Sequence, residues 1–160
     1  MRIVIVGHGA AGKDYLKRKL ESKGYRPSVS YTSRPPRPGE VEGREYHFIS
    51  EQEFKTMIEA NAFYEWNVFA GKWYYGTPKA SFGPFGAEVF VMTPSGVEKL
   101  SHAHRIESIV FFLDVPEKIR RERLMERNDS DNVDRRITTD NEDFGNFKNY
   151  DVRITDFSVS

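Results

Sequence analysis

The eight residues Gly7-His8-Gly9-Ala10-Ala11-Gly12-Lys13-Asp14 restrict the possible folds of this chain more than any other stretch. They follow an apolar, β-branched run over residues 1–6 that reads as a buried strand. They lead into residues 15–20, where apolar side chains recur at helical spacing. A strand, a glycine-rich turn and a helix in that order present free backbone N–H groups and a positive helix end to an anion. The spacing G-x-x-x-x-G-K fits the P-loop, in which the lysine reaches the outer phosphates of a nucleoside triphosphate. The eighth position is Asp14, where the pattern has Ser or Thr. Gly7, Gly9 and Gly12 also spell G-x-G-x-x-G, the dinucleotide fingerprint, which needs an acidic residue about 20 positions on. The stretch 26–30 has none, and only the P-loop explains Lys13.

Composition excludes several other classes. The 160 residues suit one compact unit with room for a movable sub-domain. The 24 basic and 24 acidic side chains cancel, which argues against a broad nucleic-acid or membrane surface and makes any anion site a local cluster. With no cysteine there is no disulfide, thiolate metal site or cysteine nucleophile. The four histidines are scattered. No leader or membrane-length apolar run is seen, so a soluble, cytoplasmic protein is expected.

Further along, Gly24 and Pro27 mark a turn and residues 28–32 a short strand. Residues 33–48 contain three prolines and two glycines, which exclude regular structure, together with three arginines and three glutamates. An ordered binding loop is expected here. Ser50, with Glu53 three residues on, caps a helix over 50–59. A hairpin turns at Ala70-Gly71, and a short helix is expected to start at 75–78 and end at Gly83-Pro84. Residues 88–92 and 108–113 read as buried strands, 94–101, 116–127 and 133–147 as helices, 128–132 as a polar break, and 151–155 as a last strand. Alternating strands and helices predict an α/β fold with a central parallel sheet covered on both faces, interrupted by an insert over about 30–75.

Two groups of residues carry further chemistry. Arg34 and Arg37, with Tyr46, suit a monophosphate, because guanidinium forks match phosphate oxygens and a phenol adds a neutral donor. Of the arginines between 120 and 136, Arg127 and Arg136 flank the polar break and are best placed to close over a triphosphate; the others read as solvated surface. Glu65, between aromatics in Phe63-Tyr64-Glu65-Trp66, can accept both N1–H and the 2-amino group of guanine, donors that adenine lacks.

The chain resembles guanylate kinase. The match is carried by residues 32–48 (TSRPPRPGEVEGREYHF), 63–66 (FYEW) and 74–77 (YYGT), together with the P-loop. The resemblance implies a P-loop NTPase-type three-layer core over 1–29 and 77–160, a small mixed-β insert over 30–76 that binds the nucleoside monophosphate, and a helical lid over 127–147. It implies transfer of a phosphoryl group from Mg²⁺-ATP to GMP or dGMP, in a monomer or homodimer that binds neither nucleic acid nor membrane. Carried over by position, Gly7, His8, Gly9, Ala10, Ala11, Gly12, Lys13, Asp14 and Arg127 would bind ATP. Ser30, Glu65 and Thr77 would read guanine, and Arg34, Arg37, Tyr46 and Tyr75 would hold the acceptor phosphate. Glu40 falls on a pocket carboxylate, and Lys13, Arg34, Arg127 and Arg136 would serve catalysis.

Three features depart from the family pattern. Asp14 replaces Ser or Thr; the Asp-x-Asp that should close the strand at 90–93 is missing, with Val91 and Thr93 in its place; and the helix that usually follows the last strand is not reached. Magnesium prefers hard oxygen ligands, so Asp14 is a candidate replacement ligand. Gly-Lys-Asp without Asp-x-Asp is also similar to ribose 1,5-bisphosphate phosphokinase, which lacks the guanine loop kept here. A non-catalytic guanylate-kinase-like binding module would lose Lys13, which is present.

Overall fold

A computed structural model describes residues 1–127 and 132–155. Its framework is a four-stranded parallel sheet of order β6-β1-β7-β8, made of β1 (Arg2–Gly7), β6 (Val89–Val91), β7 (Ser108–Leu113) and β8 (Val152–Ile154). β1 lies inside the sheet, with Ile3 opposite both Val89 and Ile109. Strand residues alternate between faces, and a parallel sheet covered by helices buries both. Val4 and Val6 accordingly pack with Phe90, Met92, Val97 and Val110, while Ile5 packs on the other face with Val89, Leu113 and the α1 residues Leu16 and Leu20. Each such side chain contributes about 1.5–3 kcal/mol by leaving water. The helix α1 (Lys13–Ser22) starts directly after the glycine loop at the C-terminal end of β1. Open α/β sheets take their ligands at that end of the strands.

A second, mixed sheet has the order β3-β2-β5-β4, from β2 (Tyr31–Thr32), β3 (His47–Phe48), β4 (Phe63–Phe69) and β5 (Trp73–Pro78). The helix α2 (Glu51–Glu59) begins as expected at Ser50, whose hydroxyl accepts from the Glu53 amide at 3.0 Å and donates to its carboxylate at 3.1 Å. Its Phe54 is fully buried and stacks on Phe63 at 4.4 Å between ring centroids. The remaining helices are α3 (Pro94–Glu98), α4 (His102–Ile106), α5 (Glu117–Arg127) and α6 (Val133–Phe144).

Several boundaries differ from the sequence reading. The expected strand over 28–32 is divided: Pro27 bridges to Val89 of the parallel sheet, whereas Tyr31 and Thr32 join the mixed one. Residues 75–78 finish β5 because Thr77 pairs with Glu65; the helical turn that follows is a 3-10 turn over Lys79–Phe82. The helix expected over 94–101 stops at Glu98, and Ser101 caps the separate helix α4 by accepting from the His104 amide. Helix α6 ends at Phe144 instead of residue 147. Most of the expected polar break, residues 128–131, lies outside the described residues.

The expectation of an ordered loop holds up to residue 46, but His47 and Phe48 form β3 because they pair with Tyr31 and Thr32; the loop's own charges explain its order. Arg34 donates to both oxygens of Glu40, at 2.8 and 3.1 Å. Glu45 accepts from the Val41 amide at 2.7 Å and from Arg44 Nε at 2.8 Å. Glu42 accepts from the Phe48 amide at 2.8 Å and lies 2.9 Å from His47 Nδ1. Each glutamate thus binds backbone or arginine groups that prolines and turns leave without ladder partners.

Candidate active site

A cleft of about 670 Å³ runs between the two sheets, walled by the glycine loop, the insert, and helices α5 and α6. The loop takes the shape its glycines permit: Gly12 has φ +98° and Ala10 φ +64°. A left-handed Ala costs roughly 1–2 kcal/mol. It is held by Arg123, whose Nη1 donates to the Ala10 carbonyl at 2.9 Å, and by packing against Leu124 and Ile137. Lys13 Nζ donates back to the Gly7 carbonyl at 2.6 Å, which draws its charge across the loop. Burial lowers the Lys13 pKa; Asp140 and Asp14 act to raise it, and Arg136 and Arg127 to lower it. Asp14, in the first turn of α1, lines the cleft.

The insert supplies the opposite wall. Ser30, Arg37, Glu40, Tyr46, Tyr75, Glu65 and Thr77 all line the cleft. Arg34 is buried and takes no part in that wall. Its guanidinium is held by Glu40 and the Pro35 carbonyl, 5.4 Å above the Tyr46 ring. Burial alone would lower its pKa, but Glu40, Tyr75 and Tyr46 raise it, so Arg34 stays charged. Glu40 also accepts from the Arg37 amide at 2.7 Å. Burial pushes its carboxyl up, and the hydrogen bonds from Arg34 and the Arg37 amide outweigh that and hold it low. Glu40 therefore acts on the arginines, fixing where both stand. Burial also raises the pKa of the Tyr46 phenol, keeping it a neutral donor.

Glu65 is 7% exposed. Thr77 stands opposite it on β5 and donates to its Oε1 at 2.6 Å. The other carboxylate oxygen lies against Gly96 of α3, where an added Cβ would come within 3.2 Å. Burial raises the Glu65 pKa, and the Thr77 hydrogen bond and Lys99 oppose that shift. Next to it, Tyr64 faces the core instead, stacking on Phe82 at 4.0 Å and accepting from the Ser101 amide at 2.8 Å.

Helix α6 connects the two walls. Arg136, 8% exposed, places its guanidinium 5.1 Å from the ring of Phe69 at the end of β4. Arg135 donates to the Ala70 carbonyl at the hairpin turn. One turn beyond Arg136, Asp140 accepts from the Gly9 amide at 2.8 Å. One further turn on, Phe144 stacks on His8 at 4.0 Å.

The cleft brings together Gly7, Gly9, Ala10, Ala11, Gly12, Lys13, Asp14, Arg127 and Arg136 with the insert residues named above. His8 takes another position. Its ring is buried between Phe144 and Phe112, and burial, with Arg120 and Lys13, lowers its pKa to about 4, so it is a neutral core aromatic. Arg120 corrects the expectation of solvated surface: it is buried and donates to the Val115 carbonyl at 2.9 Å. The sequence reading missed Arg123, Asp140 and Asn67, all of which line the cleft. Arg123 and Arg127 share a face at i, i+4, as do Arg136 and Asp140, and that spacing was the available signal. Asn67 Nδ2 donates to Thr93 Oγ1 at 3.2 Å.

Among the described residues no group of three or more His, Cys, Asp or Glu side chains could hold a metal ion by itself.

The guanylate kinase family model matches residues 1–159. The chain belongs to the guanylate kinase family. It is 36% identical over 170 aligned residues to the guanylate kinase of Onion yellows phytoplasma strain OY-M, covering 99% of this chain and 79% of that protein. The guanylate kinase of Aster yellows witches'-broom phytoplasma strain AYWB is 35% identical over the same shares. The crystal structure of guanylate kinase from Anaplasma phagocytophilum has the same fold, with a TM-score of 0.73 at 22% identity, covering 99% of this chain and 77% of that one. Within the family pattern, Val91 and Thr93 stand where two carboxylates are expected. Thr93 Oγ1 is engaged in capping α3, accepting from the Gly96 amide at 3.0 Å.

Glu65 generates a stability test with a definite sign. A carboxyl whose folded pKa lies above its unfolded value favours folding when protonated and loses that advantage as pH rises. Glu65→Gln, which keeps an acceptor for Thr77, is expected to raise the melting temperature of the nucleotide-free protein near pH 7. Thermal melts across pH should show this gain shrinking to nothing below about pH 4, under the ordinary glutamate pKa.

Proposed function

We propose that this chain transfers the γ-phosphoryl group of ATP to GMP or dGMP, giving ADP and the guanosine diphosphate. The observation that carries the reading is a single cleft with Lys13 in a phosphate loop on one wall and the buried pair Glu65 and Thr77 on the other. Adenine offers Glu65 an acceptor where guanine offers two donors, so a site built this way rejects the wrong base strongly, by up to roughly 10⁴–10⁵.

In this reading Ser30 and Thr77 complete the guanine pocket around Glu65. The acceptor phosphate sits on Arg37, Tyr46 and Tyr75, with Arg34 behind them as a fixed positive charge. An oxygen of that phosphate attacks the γ-phosphorus in line; the new P–O bond forms as the bond to the β-phosphate oxygen breaks. A nucleotide phosphate is already largely dianionic near neutral pH, so the chain needs no general base. Catalysis is then positioning and charge stabilisation. Lys13 and the loop amides take the donor's outer phosphates, and Arg123, Arg127 and Arg136 stabilise charge that spreads over the transferring group. The insert and α6 keep out water that would divert the phosphoryl group to hydrolysis.

Asp14 is the proposed protein ligand for the Mg²⁺ that would accompany ATP, where the cation would supply charge compensation for the phosphates. We further take the enzyme to act in the cytoplasm, as a monomer or homodimer, on free nucleotides without nucleic acid or membrane; among the described residues no helix is long and apolar enough to cross a membrane.

An ADP-coupled assay across GMP, dGMP, AMP, dTMP and ribose 1,5-bisphosphate tests the assignment. Turnover is expected with GMP or dGMP alone, and Glu65→Gln should narrow the margin over AMP. Activity confined to ribose 1,5-bisphosphate would overturn it. For the metal, calorimetry of ATP binding with and without Mg²⁺ is the check. Asp14→Asn is expected to remove most of the Mg²⁺-dependent gain in affinity, and an unchanged gain would exclude Asp14 as a ligand.

A further inference from the structure

Helix α6 rests on the phosphate loop through one face, formed by Arg136, Asp140 and Phe144 at successive turns. Phe144 stacks on His8. Ile137, beside this face, packs on Ala10 together with Leu124. Asp140 makes a polar contact with the loop. It is 4% exposed, and its Oδ2 accepts the Gly9 amide at 2.8 Å. A Cβ on Gly9 would come to 3.0 Å from that oxygen and 3.2 Å from Arg136 Nη2, so a larger residue there would make the carboxylate and the guanidinium give way by a few tenths of an ångström. Of all the charges acting on Lys13, Asp140 is foremost, ahead of Asp14.

A carboxylate that accepts a loop amide and acts on the loop lysine through its charge makes one of the contacts a phosphate oxygen makes in such a loop. We propose that Asp140 is a built-in phosphate surrogate: its carboxylate stands at the outer-phosphate end of the loop and competes with the nucleoside triphosphate for Gly9 and Lys13. Binding of the triphosphate expels the carboxylate by like-charge repulsion and takes over the amide. The face of α6 that carried Asp140 then leaves its seat, and Arg136, on the same face, is re-aimed. The loop's positive charge is thus compensated in the free enzyme, and binding of the donor is coupled to lid position. A ligand shifts such an equilibrium only by its differential interaction with the two states, and here the difference lies in one carboxylate.

The inference rests on the reading of the Lys13 loop as the ATP phosphate site, and its test separates the two. ATP and ADP affinities are measured by calorimetry, without acceptor, for the full wild-type chain, Asp140→Asn, Asp140→Ala and Phe144→Ala, alongside thermal melts of each free protein. Both Asp140 variants are expected to bind ATP more tightly, by about tenfold for Ala, the size of a charge-assisted hydrogen bond no longer displaced. The gain for ADP should be smaller. The free Asp140→Ala protein should melt below the wild-type temperature, so that free stability and ATP affinity move in opposite directions. Unchanged or weaker ATP binding in folded Asp140 variants overturns the proposal, as a carboxylate that helps to bind the donor would give. An equal gain in Phe144→Ala also overturns it, because loosening the helix would then suffice. If none of the four proteins binds ATP, the phosphate-site reading falls, and the surrogate with it.

Discussion

The structure depends on one electrostatic constraint: a glycine loop and a helix start, presented by an inner strand of a buried sheet, must be matched by negative charge. β1 has strands on both sides and apolar side chains on both faces, so Gly7 and the loop after it are delivered to a fixed place. The cleft then gathers Lys13, Arg37, Arg123, Arg127 and Arg136 in a chain whose formal net charge is zero. In a cavity of low dielectric these charges act more strongly than they would at the surface. Such a cluster suits a ligand carrying several phosphates, and it raises the question of how the free protein tolerates it.

Carboxylates placed beside the cations give the answer. Glu40 neutralises Arg34 with two hydrogen bonds and positions the Arg37 backbone with a third. Asp140 reaches the loop from α6, and Asp14 lies beside Lys13 at the start of α1. The arrangement on the insert wall is permanent, since Glu40 belongs to the same loop as its partners. On the glycine-loop wall the carboxylate comes from a separate helix, one that also touches Phe69 and the Ala70 turn of the insert. A helix that touches both walls through charged residues is well suited to report to one substrate site that the other is filled.

Much of this was legible in the sequence. The β-branched run before Gly7, the Ser50–Glu53 capping box and the Ala70-Gly71 turn are short-range signals, and each formed the expected element. The recurring arginines and glutamates of residues 33–48 marked an ordered loop, although not which glutamate would hold which arginine. What escaped depends on contacts between residues distant in sequence. Residues 75–78 look like a helix start until Thr77 finds Glu65 across the hairpin. His8 lies in the phosphate motif, yet its ring belongs to the aromatic core, because α6 brings Phe144 against it. Asp140 lies 131 residues from Gly9, in a helix too polar for its packed face to stand out. Arg120 looked like one more surface cation on α5 and is instead buried, donating to the Val115 carbonyl in the segment between β7 and α5.

The central claim is that the loop wall and the insert wall form one site for two nucleotides joined through their phosphates. The most direct measurement is calorimetry with a bisubstrate ligand, adenosine and guanosine linked 5′ to 5′ by five phosphates. One molecule is expected to bind per chain, at least about a hundredfold more tightly than ATP, because the second half binds at the high effective concentration set by the link. Affinity no better than that of ATP, or two molecules bound per chain, would contradict a single shared cleft.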